Sequence, residues 1–387
     1  MIVRTRLATA MLVILVAACA GATTAAPNPS AQATAAPSAA MSTAPAAATT
    51  AATPPAASGT PAAASAVSPV CAHREPPAWI ATAKSPKDGV PDPAGRIVFG
   101  PVDHDNNILG QIVAPLVAMD PDGSDLVQLL DCQIDRPRFS PDGRRIIFSI
   151  VMDDQSKQVA TIGADGSDLQ ILTKVPGYAQ TPIWSPHGTW ILYSLAGHCA
   201  SMPACVEDGT DRPQLWRMNA DGSDQQLFGA PGTIDIEPTF SPDGTEVVFD
   251  RSEPAQDYAF HFVIRTIATG KERRVLTAQR ELEHPAWSPD GRWITYNTLS
   301  DGNGNFLEQI ERMPANDPDA KPEVLYGDVA HLSYKPAYSP DGSAIVFGCD
   351  AKICRMAADG SGVKVMLAVP GEGLNHFAWG VTPKSAL

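Results

Sequence analysis

Short runs of aliphatic, β-branched and aromatic residues recur along the second two thirds of the chain: Ile146-Ile147-Phe148, Trp190-Ile191-Leu192-Tyr193, Val247-Val248-Phe249, Trp293-Ile294-Thr295-Tyr296 and Ile345-Val346-Phe347. Runs of this length, bounded by Pro, Asp and Gly, predict strands. Each follows a near-copy of one polar turn: Ser140-Pro141-Asp142-Gly143, Ser185-Pro186-His187-Gly188, Ser241-Pro242-Asp243-Gly244, Ser288-Pro289-Asp290-Gly291 and Ser339-Pro340-Asp341-Gly342. An aromatic precedes every turn (Phe139, Trp184, Phe240, Trp287, Tyr338), with a proline two residues further back (Pro137, Pro182, Pro238, Pro285, Pro336). The unit is therefore a hairpin whose first strand carries X-Pro-x-aromatic.

The turn serines lie 45, 56, 47 and 51 residues apart, the period of one four-stranded sheet, and repetition at that period predicts a propeller. A third strand such as Leu215-Trp216-Arg217-Met218-Asn219 leads into an Asp-Gly-Ser turn at Asp221, repeated at Asp122, Asp165 and Asp359. Asp and Gly there supply the side-chain bond and positive φ of a tight reversal. Fourth strands are expected at Leu169-Gln170-Ile171-Leu172-Thr173 and Arg274-Val275-Leu276-Thr277. Arg96-Ile97-Val98-Phe99-Gly100 reads as a second strand without a first, and Phe377-Ala378-Trp379-Gly380 as a first strand without a second. Joined, they make a sixth blade. The expected fold is all-β: a six-bladed β-propeller of four-stranded antiparallel blades, its ring closed by the C-terminal strand completing the first blade, which hides sheet edges.

This succession of aromatic, Ser-Pro-Asp-Gly, apolar strand and Asp-Gly-Ser over residues 90–382 resembles the TolB-like six-bladed propeller family and its WD40-like repeats. The resemblance implies a periplasmic protein that contacts an envelope lipoprotein. The α/β domain that precedes the propeller in that family has no counterpart in this sequence, so only the propeller is carried over.

Arg4 and Arg6 precede an apolar run over residues 7–18 with the character of a signal peptide. The run ends Val16-Ala17-Ala18-Cys19, which resembles a lipobox in which Cys19 takes the lipid. Between Cys19 and Cys71 no residue is charged or aromatic; Ala, Pro, Thr and Ser dominate, the composition of a disordered tether. The expected organisation is a signal peptide at 1–18, a lipidated Cys and tether at 19–70, and the propeller at 71–387. No further domain is expected after the closing strand.

The chain carries 28 basic and 42 acidic residues, a formal charge of −14, and loss of Arg4 and Arg6 makes the remainder more acidic. Nucleic acid, which needs a basic footprint, is excluded as a partner. Six cysteines follow Cys19, an even number suited to disulfides in an oxidising compartment. Short spacing favours Cys349 with Cys354 across antiparallel strands and Cys199 with Cys205 in one loop, leaving Cys71 to staple to Cys132.

The residue before each repeat's proline is placed at the mouth of the central channel: Arg136, Thr181, Glu237, His284 and Lys335, with Asn375 and His376 at the equivalent place. Two histidines and a glutamate on one axis are a candidate metal or acid–base set, opposed by the two cations. Asp103, Asp105 and Asn107, and Asp301, Asn303 and Asn305, have alternating calcium-type oxygens but lack the distal Glu. The repetition of Ser-Pro-Asp-Gly marks it as turn chemistry, and no hydrolase or phosphate-loop motif occurs. No cofactor is expected. Irregular connections at residues 195–213, 100–115, 251–260 and 299–307 fall on the face opposite the regular turns, where binding residues usually lie.

The expected function is that of an exported, membrane-tethered lipoprotein, monomeric, whose propeller binds a protein, peptide or glycan at the cell envelope without catalysis. The alternative is a metal-assisted lyase or hydrolase using His284, His376 and Glu237.

Overall fold

The computed structural model describes residues 67–71, 95–101, 103–108, 111–113, 115–197, 212–230, 232–252, 260–275, 282–300, 306–317, 320–327, 333–350, 352–368 and 374–381, with backbone alone at 101–113, 299–300, 306–307 and 374–376. These residues form strands, turns and bends, and no helix among them is long and apolar enough to cross a membrane. In chain order the strands are β1 (Arg96–Pro101), β2 (Asp103–Ile108), β3 (Gln111–Val113), β4 (Leu116–Met119), β5 (Val127–Leu130), β6 (Ile134–Phe139), β7 (Arg145–Val151), β8 (Lys157–Gly163) and β9 (Gln170–Ile171). There follow β10 (Gly177–Trp184), β11 (Trp190–Gly197), β12 (Gln214–Asn219), β13 (Gln226–Leu227), β14 (Ile234–Phe240), β15 (Glu246–Ser252), β16 (His261–Thr266) and β17 (Glu272–Val275). The last are β18 (Leu282–Trp287), β19 (Trp293–Ser300), β20 (Phe306–Pro314), β21 (Glu323–Tyr326), β22 (Ser333–Tyr338), β23 (Ala344–Cys349), β24 (Lys352–Ala357), β25 (Lys364–Ala368) and β26 (Leu374–Gly380).

The strands assemble into a propeller-like ring of antiparallel four-stranded blades. Four sheets are separate, in the orders β26-β1-β4-β5, β14-β15-β16-β17, β18-β19-β20-β21 and β22-β23-β24-β25. Two further meanders, β6 to β9 and β10 to β13, merge into one sheet of eight strands where Tyr178 pairs with Lys157 in parallel. The C-terminal β26 supplies the innermost strand beside β1, Arg96 opposite Gly380 and Phe99 opposite Phe377. Residues 100–115, read from sequence as an irregular connection, instead contain the hairpin β2–β3.

Strand alternation sorts the core between neighbouring sheets. On β1, Ile97 and Phe99 pack with Val346 and Ile353 of the β22 to β25 sheet, while Val98 turns to Ile146 and Phe148 beside β6. On β7, Ile147 faces the opposite way and joins Tyr193 and Met218. Further clusters join β11 to β15, β16 to β19, and β20 to β23.

The repeated turns obey local chemistry. The Ser140 hydroxyl donates to Asp142 Oδ1 at 2.6 Å and accepts the Arg145 N–H at 2.9 Å, and Ser241, Ser288 and Ser339 do the same. In the variant turn Ser185 keeps only the second bond, to Trp190 N–H, because His187 replaces the aspartate. The serine hydroxyl and then the Arg292 N–H hold the Asp290 carboxyl down at about 2.

Disulfides join Cys71 to Cys132 and Cys349 to Cys354. Cys132 lies after β5, and the segment before Cys71 is paired too: Val70 N–H bonds Val151 carbonyl, Gln133 N–H bonds Val70 carbonyl and Asp153 N–H bonds Ser68 carbonyl. Among the described residues this pairing reaches Ser68, on the N-terminal side of the disulfide. Cys349 stands opposite Lys352 and Cys354 opposite Phe347, so that disulfide runs diagonally across the β23–β24 ladder, not between facing residues. Cys19, Cys199 and Cys205 lie outside the described residues.

Candidate functional site

Every inner strand that carries X-Pro is bulged at that dipeptide. On β6, Asp135 pairs with Ser149 and Arg138 with Ile147, so Arg136 and Pro137 together oppose only Phe148. The same two-to-one shift sets Thr181 against Tyr193, Glu237 against Phe249, His284 against Tyr296 and Lys335 against Phe347. All five opposing aromatics are fully buried. The residue before each proline has a left-handed backbone: φ is 54° at Arg136, 54° at Thr181, 52° at Glu237, 55° at His284 and 57° at Lys335. For residues with a Cβ this region costs about 1–2 kcal/mol each. Its recurrence at equivalent positions gives five inner strands the same local backbone distortion. The five residues lie within the inner strands β6, β10, β14, β18 and β22.

Three of the five meet. Arg136 Nε donates to Glu237 Oε1, and Nη1 pairs with its chain neighbour Asp135, which also has Lys157 Nζ at 3.8 Å. Burial lowers the Arg136 pKa, but Asp135 and Glu237 outweigh it and the guanidinium ends above its ordinary value. His284 Nε2 stands 3.9 Å from the same Glu237 oxygen. Its Nδ1 donates to Asn297 Oδ1 at 2.9 Å, an oxygen that also accepts the Lys335 backbone N–H at 3.2 Å. Lys335 is half-buried, its ammonium 5.7 Å from the Tyr334 ring, and burial lowers it to about 8. Thr181 does not join the group; its hydroxyl bonds Ser194 Oγ at 2.8 Å within its own sheet. For Asn375 and His376 the backbone runs in β26, and their side chains lie outside the described residues.

Sequence reasoning missed the groups behind this layer. Asp250 is 1 % exposed and pushed well above the carboxylate range by burial, then by Glu237 and Glu283; one oxygen takes the His284 N–H and Oδ1 has no hydrogen-bond partner among the described residues. Burial, reinforced by Glu283, raises Glu308 to about 7. The signal for Asn297 and Asp250 was present: each follows the buried aromatic of a second strand, the place taken by Ser149, Ser194 and Gly348 elsewhere.

For metal binding, the Glu237 carboxylate is already held by a guanidinium, and among the described residues no group of three or more His, Cys, Asp or Glu side chains converges as a metal set. Of the calcium-type segments, Asp103, Asp105 and Asn107 fall in β2 by backbone alone, and Asp301, Asn303 and Asn305 lie outside the described residues.

Known proteins match this architecture. Residues 116–316 match the sequence profile of the TolB beta propeller domain, and that span is more than half of the chain. The chain belongs to the TolB beta propeller domain family. A region of 162 residues is 24% identical to the uncharacterized peptidase YuxL of Bacillus subtilis, covering 42% of this chain and 21% of that protein. The match therefore spans about a fifth of that relative's length. Among solved structures, TolB from Acinetobacter baumannii superposes with a TM-score of 0.58 at 17% identity, covering 76% of this chain and 68% of that one. Putative TolB from Agrobacterium tumefaciens gives 0.52 at 18% identity, covering 73% and 90%. At these identities the structures share the fold.

Proposed function

We propose that this member of the TolB beta propeller domain family is an exported lipoprotein whose propeller is a non-catalytic binding scaffold for a protein, peptide or glycan at the cell envelope. Cys19 carries the lipid, residues 19–70 are the tether and the propeller has six blades closed by β26. Contacts among inner strands support that ring: β6 touches β10, β10 touches β14, β14 touches β18, β18 touches β22, β22 touches β26 and β26 touches β6. The disulfides Cys71–Cys132 and Cys349–Cys354 support an oxidising, extracytoplasmic setting.

The observation that carries the scaffold reading is the mutual engagement of the axial charges. Arg136 holds Glu237 and Asp135, and His284 is oriented by Asn297. Groups bonded to one another in this way rigidify the hub and leave recognition to the connections of the irregular face.

Photo-cross-linking in the native envelope tests this. A photoreactive residue at exposed Asp153, in the β7–β8 turn of the irregular face, is expected to give a discrete adduct, whereas one at exposed Arg144 beside a Ser-Pro-Asp-Gly turn is not. Adducts from Arg144 alone, or from neither position, would overturn the reading.

A further inference from the structure

Two residues beyond the left-handed layer, the inner strands place a second ring: Arg138 on β6, Ile183 on β10, Thr239 on β14, Ala286 on β18, Ala337 on β22 and Ala378 on β26. All six line one cavity of about 230 Å³. Glu237, His284 and Lys335 form its inner end, and Pro289, Ser339 and Pro340 bring it to the Ser-Pro-Asp-Gly face. Trp287, Tyr338 and Trp379 add aromatic surface. The walls thus combine methyls, prolyl rings and aromatic edges with charged and polar groups, the Arg138 guanidinium near the ring and Glu237, His284 and Lys335 at the inner end.

That guanidinium is held differently from its neighbour. Arg138 Nη1 donates to the carbonyls of Pro137 at 3.0 Å and Phe377 at 3.2 Å, which fixes the side chain between β6 and β26. Among the described residues no carboxylate stands within ion-pair distance of Arg138, whereas Arg136 has Glu237 and Asp135 on it. The Glu237 carboxylate at the inner end is held by Arg136, so Arg138 is a fixed guanidinium with no carboxylate in direct contact and favours an anion, and its planar fork matches a carboxylate. The volume lies below the roughly 300–1,000 Å³ of sites for drug-sized ligands, which limits the occupant to one or two rings.

We propose that this cavity binds a small aromatic carboxylate, its anion on Arg138 and its ring between the alanines, prolines and aromatic edges of β18, β22 and β26. The site opens on the regular face and is separate from the loop-face scaffold role, on which it does not depend.

Calorimetric titration of the purified full-length protein with 2-naphthoate and with its neutral isostere naphthalene-2-carboxamide decides the matter. The carboxylate is expected to bind at one site about 10-fold or more tighter than the carboxamide. Arg138→Met should erase that preference and leave carboxamide affinity within about twofold, while Arg144→Met changes neither. Ala337→Leu, which fills the ring without touching Arg138, should weaken both ligands about 10-fold. No saturable binding, an equal affinity for the two ligands, a preference that survives Arg138→Met, or unchanged binding in Ala337→Leu would each overturn the proposal.

Discussion

Gly222 faces the main-chain carbonyl of Leu172 so closely that a Cβ on the glycine would stand 2.6 Å from the oxygen. The same relationship holds for Gly166 with Leu129, Gly360 with Leu325 and Gly123 with Met366. In each case the Asp-Gly-Ser turn of one four-stranded meander seats its glycine on a main-chain carbonyl at the outer edge of a neighbouring meander. The motif is therefore a contact between meanders as well as a turn.

Gly222→Ala should consequently cost more than the left-handed backbone alone, about 3 kcal/mol. Gly362→Ala, at a similar φ of 65° with nothing within 4 Å, should cost about 1 kcal/mol. Urea unfolding of the two variants measures the difference; equal losses would mean that the Leu172 contact contributes nothing.

The Arg136 to Glu237 pair predicts asymmetric effects. Arg136→Met leaves Glu237, 6 % exposed, without its guanidinium and should destabilise by about 3 kcal/mol. Adding Glu237→Gln should return part of that loss, since the buried charge is then gone. A double-mutant cycle by chemical denaturation checks it, and strictly additive losses would contradict the pairing.

The first strands show how far the sequence could be read. X-Pro-x-aromatic located β6, β10, β14, β18 and β22, and the orphan segments at Arg96 and Phe377 located the β1–β26 pair, because turn residues and alternation are local signals. The left-handed backbone at Arg136, Thr181, Glu237, His284 and Lys335 was not legible, since a residue before proline is ordinarily driven to extended conformations. Only the ladder with the second strand reveals the bulge. Asp250 and Glu308 belong to second and third strands and come near Glu283 only through tertiary packing. Arg138 was passed over for a different reason: its repeat counterparts Ala286, Ala337 and Ala378 carry no chemistry.

Half-buried Glu308 and Lys335 set a pH dependence. Glu308 rises from 4.5 to about 7, so its contribution to stability is full below 4.5 and is lost as pH rises through 7. Lys335 falls from 10.5 to about 8, so its contribution is full above 10.5 and is lost as pH falls through 8. Together they contribute least between about 7 and 8. Melting temperatures across pH 4 to 10 should show the acid limb flattened in Glu308→Gln and the alkaline limb flattened in Lys335→Met; limbs unchanged in both variants would contradict this.

The two disulfides should differ in worth. Cys71 and Cys132 are 61 residues apart, a loop whose closure stabilises by about 4 kcal/mol, against about 2 kcal/mol for Cys349 and Cys354, 5 apart. Cys71→Ser should therefore lower the urea midpoint more than Cys349→Ser, and the reverse order would show that the Ser68–Cys71 segment adds nothing to the fold.

The most direct test of the proposed tethered lipoprotein is mass spectrometry of the N-terminal peptide from protein extracted from membranes. The account predicts a peptide beginning at Cys19 and carrying the added mass of acyl chains. An unmodified Cys19, or a mature chain beginning at another residue, would contradict it.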